Sequence, residues 1–193
     1  ATTLTGIGAV YDSLGEKQKA LDYYNQALPL LRAVGDRRME ATTLSNIGAV
    51  YDSLGEKQQA LDYLNQALPL LRAVGDRRME ATTLNNIGAV YDSLGEKQKA
   101  LDYYNQALPL SRAVGDRRGE ATTLNNIGNV YDSLGEKQQA LDYLNQALPL
   151  SRAVGDRGGE ATTLTGIGAV YDSLGEKQKA LDYYNQALPL LRA

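Results

Sequence analysis

The chain repeats itself every 40 residues, and that period decides most of what it can fold into. Copies begin at Ala1, Ala41, Ala81, Ala121 and Ala161, so the units are 1–40, 41–80, 81–120, 121–160 and a truncated 161–193. A strict period of this length points to stacked supersecondary units, not to a globule with one closed core. Residues 1–33 and 161–193 are identical. A second, 80-residue period overlies the first: Lys19, Lys99 and Lys179 alternate with Gln59 and Gln139, in step with Tyr24, Tyr104 and Tyr184 against Leu64 and Leu144. Such uniformity fits recent duplication or a consensus-type design. Residue 1 starts inside the first predicted helix and the last copy stops short of its closing Val-Gly, so the chain reads as a piece of a longer array, and end-to-end association of chains is expected.

Two helices can be read in each copy. Leu44, Ile47, Tyr51 and Leu54 recur at three- and four-residue steps and define one apolar face. Asp36 is a suitable N-cap, Glu40 favours the positive end of the helix dipole, and Gly55 suits a left-handed stop. These signals predict a helix over about 37–54. A second apolar face is made by Ala60, Leu61, Leu64, Ala67, Leu68 and Leu71, which predicts a helix over about 56–74 closed by Gly75. Short links make the helices antiparallel neighbours. Gly48 lies inside the first helix at a cost of about 1 kcal/mol against alanine. Close approach to Ala60 is the expected compensation. Pro69 lies inside the second helix, where a bend is expected and a full break is the alternative. Ser111 and Ser151 replace Leu31, Leu71 and Leu191, and a rim position is expected because a buried hydroxyl needs a partner.

Composition excludes several chemistries. There is no Cys and no His, so disulfides, thiolate or imidazole metal sites and His-based catalysis are ruled out. Asp12, Glu16 and Asp22 recur in every copy, whereas an enzyme needs one singular site, so no enzyme and no cofactor are expected. Gly6-Ile7-Gly8 lacks the third glycine and the strand–turn setting of a dinucleotide loop, and Gly15-Glu16-Lys17-Gln18 is no phosphate loop. The net charge of −3 offers nothing to nucleic acid, although a row of Tyr23, Tyr63, Tyr103, Tyr143 and Tyr183 could form a base-stacking surface. Arg37, Arg38, Arg77 and Arg78 cluster between copies and read as a solubilising edge. No apolar run approaches the roughly 20 residues of a membrane span. A cytoplasmic setting is expected.

Leu4, Ile7, Gly8, Tyr11, Gly15, Ala20, Tyr24 and Ala27 stand at the spacing of the tetratricopeptide repeat, and the other copies match likewise. The chain therefore resembles that family, in an extended 40-residue form similar to kinesin light chains and to bacterial multi-repeat proteins. It departs by Leu4 where the family often has Trp, and by Pro29 inside the second helix. The resemblance implies an all-α, right-handed superhelix of antiparallel helix pairs, a solenoid whose first helices line a groove. It further implies a non-enzymatic role, holding an extended peptide of a partner protein.

The face of the first helix opposite Leu44, Ile47 and Tyr51 carries Thr42, Ser45, Asn46, Ala49, Asp52 and Ser53. Variation on this stripe yields an asparagine-rich patch: Asn46, Asn85, Asn86, Asn125, Asn126 and Asn129. An amide both donates and accepts, so it can pair with a peptide N–H and C=O together. The resemblance implies this role at the sixth position of the copy, for Asn46, Asn86 and Asn126. Asp52, Asp92 and Asp132 share the stripe and would favour a basic peptide. The stripe has no Lys or Arg, which leaves capture of an acidic C-terminus unsupported. The bland alternative is a solvated helix face, and a structural or designed array that associates end to end without a ligand is the competing function.

Overall fold

The structure, a computed structural model, describes residues 1–191; the last two residues of the truncated fifth copy lie outside them. The described residues are all-helical, with two helices per copy. Packing divides the chain into two compact units, Ala1–Glu96 and Lys97–Ala193. The first holds α1 (Thr2–Ser13), α2 (Lys17–Val34), α3 (Arg37–Ser53), α4 (Lys57–Val74) and α5 (Arg77–Ser93). The second holds α6 (Lys97–Ala113), α7 (Arg117–Ser133), α8 (Lys137–Ala153), α9 (Arg157–Ser173) and α10 (Lys177–Leu191).

Each helix end has a local cause. The Asp36 carboxylate accepts the Met39 amide at 3.1 Å, and Asp76, Asp116 and Asp156 repeat this cap one, two and three copies later. Gly15 and Gly35 take positive φ, 77° and 70°. The next amide then folds back, Glu16 N–H to Tyr11 C=O at 2.9 Å and Asp36 N–H to Leu31 C=O at 3.0 Å. These six-to-one bonds satisfy carbonyls that the helix ends leave open. The helix holding Pro69 continues from Lys57 to Val74, so the proline does not break it.

Within a unit, the two helices of a copy pack on each other and the second packs on the first helix of the next copy. Leu44, Ile47 and Val50 of α3 are wholly enclosed, between α2 residues such as Leu21, Tyr24 and Leu28 on one side and Ala67 and Leu71 of α4 on the other. The second unit repeats this with Leu141 and Leu144 against Ile167 and Val170. Gly48 explains how α3 and α4 come so close. A Cβ there would lie 2.6 Å from Leu64 Cγ and 3.1 Å from the Ala60 carbonyl oxygen. Close approach was expected, but the facing side chain is Leu64, with Ala60 contributing its backbone. Tyr24 and Tyr184 fill the same place over Gly8 and Gly168.

The serines overturn one expectation. Ser111 and Ser151 are not at a rim; both are buried, and the Ser151 hydroxyl has no hydrogen-bond partner. The reason lies across the helix pair. Where Leu31 and Leu71 stand, the following helix carries Met39 and Met79; where the serines stand, it carries Gly119 and Gly159. A Cβ on either glycine would sit 3.3 Å from the serine oxygen. A large pair has been exchanged for a small one at a position that stays in the core.

Ion pairs brace the edge between copies. Glu40 and Glu80 are buried carboxylates, each held by two arginines: Arg32 at 2.7 Å and Arg37 at 3.0 Å, then Arg72 at 2.8 Å and Arg77 at 3.0 Å. Such a carboxylate needs these partners to offset its desolvation. Arg38 reaches one copy onward to the Asp76 cap at 2.8 Å, and Arg118 reaches Asp156 at 3.3 Å. The arginine cluster is thus a set of cross-braces, more than a solubilising edge. Burial pushes the Asp76 carboxyl upward. The Met79 amide and the Arg38 and Arg78 guanidinium charges outweigh it and hold the pKa below the usual 3.8. Among the described residues no helix is long and apolar enough to cross a membrane, and no group of three or more His, Cys, Asp or Glu is placed to hold a metal ion.

Two predictions follow from these contacts. Gly48→Ala should destabilise the chain by about 1–2 kcal/mol, because overpacking against Leu64 exceeds the gain in helix propensity. Gly6→Ala, where nothing lies within 4 Å, should instead be neutral or stabilising; thermal melts of both variants check the opposite signs. A carboxylate with a lowered folded pKa stabilises fully above its unfolded value and loses that contribution as pH falls through the folded one. The Asp76 contribution should therefore hold from neutral pH down to about 3.8 and fade below it. Arg38→Met should cost about 0.5 kcal/mol at neutral pH and nothing at the lowest pH, as read by urea unfolding across a pH series.

Candidate functional site

The first-helix stripe is built by a helix that buries one face on its partners and leaves the other open. Its residues divide by what they already touch. Thr42 and Ser53 donate to their own helix, to Arg38 C=O at 3.0 Å and Val50 C=O at 2.7 Å. Their hydroxyl protons are spent. Ala49 is exposed, and Asn46, Asn85 and Asn86 are half-buried.

In the first two copies the fifth position faces the next first helix, not open space. Thr5 Oγ1 lies 3.0 Å from Thr43 Oγ1, and Ser45 Oγ lies 3.0 Å from Thr83 Oγ1; both contacts are buried. Asn125 holds this position in α7. It is buried and its Oδ1 has no hydrogen-bond partner. The threonine at the third position of each copy, such as Thr43 or Thr163, was missed by sequence reasoning, although its invariance beside the apolar Leu44 is a readable sign of burial.

The sixth position is the one that faces outward in part. In the first unit, Asn46 lies beside the Tyr24 phenol of the preceding copy. Burial raises the Tyr24 pKa, the Asp12 carboxylate adds to the rise, and the Asn46 amide opposes it. Asn86 follows a copy that has Leu64 in place of that tyrosine. Among the described residues its side chain makes no hydrogen bond. In the second unit Asn126 is half-buried and Asn129 exposed.

The aspartates carry less free charge than their spacing implies. Asp52 is paired with Lys57 at 2.6 Å and Asp132 with Lys137 at 2.7 Å, as Asp12 is with Lys17. Asp92 is half-buried at the same position of the third copy. The lysine is the first residue of the second helix. It lies outside the stripe in sequence yet reaches it across the Gly55 turn, five residues on.

The tyrosine row is partly engaged within the repeat. Tyr63 stacks on Tyr51 at 5.4 Å between centroids, and Tyr23 on Tyr11, Tyr143 on Tyr131 and Tyr183 on Tyr171 do likewise. Lys19, ion-paired to Glu16, also covers the Tyr11 ring at 5.2 Å. Each of these four row rings thus gives one face to a tyrosine of the first helix.

The fold and the periodic stripe define a helix-pair repeat scaffold. The tetratricopeptide repeat pattern matches residues 1–73, 41–113, 79–153 and 121–193, and the chain belongs to that family. No characterised protein sequence matches it. Solved structures share the fold at low identity. BtubC (BKLC) from P. vanneervenii is 23% identical with a TM-score of 0.84, over 98% of this chain and 78% of that one. A Rap protein complexed with competence and sporulation factor is 20% identical with a TM-score of 0.86, over 97% of this chain and 52% of that one. This chain therefore spans about half of that protein. The nearly identical TPR-like repeats of a Podosopora anserina putative kinesin light chain are 14% identical with a TM-score of 0.75, over 98% of this chain and 94% of that one.

Proposed function

We propose that the chain is a non-catalytic interaction scaffold whose first-helix stripe holds an extended peptide of a partner protein. The observation that carries this reading is Asn86. A half-buried amide with unspent donors and acceptor has already lost part of its hydration, so pairing it with a peptide N–H and C=O recovers what folding gave up. Asn129 offers an exposed amide in the other unit, and Asn46 and Asn126 occupy the same position as Asn86 in their own copies. The Rap relative, whose structure holds competence and sporulation factor, lends support from the same fold. Asp52 and Asp132 are already paired with lysines, so they supply little attraction for a basic peptide, and backbone pairing leads the recognition.

Peptides selected from a displayed library on the intact chain provide the test. Asn86→Ala should weaken the best binder by about tenfold, the loss of one to two hydrogen bonds, and leave the thermal midpoint unchanged. A library that yields no saturable binder, or affinity that ignores the substitution, would refute the proposal.

A second reading is self-association, favoured by two exposed faces. Val10 of α1 is 58% exposed, whereas Val50, its equivalent in α3, is wholly buried. Leu181 of α10 is 53% exposed, whereas Leu21 and Leu61 are buried at 3% and 5%. The α10 face of one copy suits the α1 face of another, as α2 suits α3 inside the chain. Sedimentation velocity should then show a rise in mean mass with concentration that Leu181→Glu removes. A constant monomer mass to millimolar concentration would count against it.

A further inference from the structure

The two departures from the repeat on the stripe of the second unit lie against each other. Asn129 stands where the other copies have Ala9, Ala49, Ala89 and Ala169, and Gly166 stands where the middle copies have asparagine. A Cβ on Gly166 would lie 3.4 Å from Asn129 Oδ1 and 3.4 Å from both Leu144 methyl carbons. The missing side chain leaves a recess of about 320 Å³ between α7 and α9, lined by Asn129, Thr162, Thr165, Gly166 and Ala169, with Leu191 at one end.

Packing does not explain this glycine. Gly48 and Gly128 are required, since a Cβ would meet leucine atoms at 2.6 Å and 2.8 Å. At Gly166 a methyl group would make ordinary contacts, yet a helix-weakening residue stands there. The recess is also lopsided in chemistry. Thr162 and Thr165 donate their hydroxyl protons to Gly158 C=O at 2.9 Å and Ala161 C=O at 2.8 Å. What they add to the lining is chiefly methyl. No lining residue is charged. The one uncommitted polar group is the Asn129 amide at the edge. One turn back on the same face of α7, Asn125 is 6% exposed and its Oδ1 has no partner, although Thr5 and Ser45 at that position bond across to the next first helix.

We propose that this recess is an anchoring subsite for one neutral aliphatic side chain of a bound peptide, with the Asn129 amide taking a backbone group beside it. This deepens the peptide-binding reading above and rests on it. A charged side chain would lose hydration to a wall with no counter-ion. An aliphatic one would gain from burial against the threonine methyls, Ala161 and Ala169.

The probes are blocked tripeptides, acetyl-Ala-Leu-Ala-amide and its central Gly and Lys analogues, titrated into the intact ¹⁵N-labelled chain. The leucine probe should shift the Gly166 amide and the Asn129 side-chain signals saturably, and the glycine and lysine probes should bind at least about fivefold more weakly. Gly166→Asn, which restores the residue of the middle copies, should abolish the response. Asn129→Ala should weaken it by about fivefold. Gly166→Ala should raise the thermal midpoint while weakening the probe, a split that a purely structural glycine would not give. Equal binding of the three probes, no saturable shift, or a response unchanged by Gly166→Asn would overturn the subsite. A library-selected peptide that still binds Gly166→Asn but is lost on Asn86→Ala would overturn the subsite alone and leave the scaffold reading standing.

Discussion

Each helix pair has more apolar surface than it can cover by itself, and everything else in the structure depends on that shortfall. Val50 of α3 is enclosed because α2 lies on one side of its helix and α4 on the other. Its equivalent in α1, Val10, is largely exposed. A unit therefore gains stability from its neighbour as much as from its own interior, as in other repeat arrays. The close packing that makes this possible is set by the glycine of the first helix, whose missing side chain admits Leu64 or Tyr24 from the second.

The elements were legible because helix signals are local. Asp36, Gly35 and Gly55 are capping and stopping residues whose roles follow from backbone geometry alone, and the structure places the helix ends within a residue or so of where they point. What one sequence did not disclose were the cross-copy partners. Arg38 meets Asp76 and Ser45 meets Thr83, each over 38 residues, and within a copy Lys57 meets Asp52 through a turn. Periodicity places a residue on a face; it does not say how far the neighbouring helix reaches across that face. Ser151 shows the same limit. A lone buried hydroxyl is costly, which argued for a rim, but Gly159 across the pair had already lost its side chain and the backbone kept its course.

The stripe is therefore less uniform than its residue types imply. Its hydroxyls are spent on carbonyls, its described aspartates are mostly paired with lysines, and in the first two copies its fifth position is turned toward the next helix. Three asparagines hold the sixth position, in settings that differ with the residue of the preceding copy. Where that residue is Tyr24, Asn46 has a phenol beside it. Where it is Leu64, Asn86 has none.

This links the 80-residue alternation to recognition. The residue at the position of Tyr24 and Leu64 does two tasks at once: its base fills the space over the helix glycine, and its tip lies under the sixth position of the next copy. Exchanging tyrosine for leucine there keeps the packing, since both side chains fit over the glycine, but removes a hydroxyl from beneath the sixth position. At Gly166 the sixth-position side chain is missing above Leu144, and the recess beside it is lined by Thr162 and Thr165. An array whose units are almost identical can thus present polar and apolar floors in turn without disturbing the stack, because the change is made at a position whose volume the core needs and whose chemistry it does not.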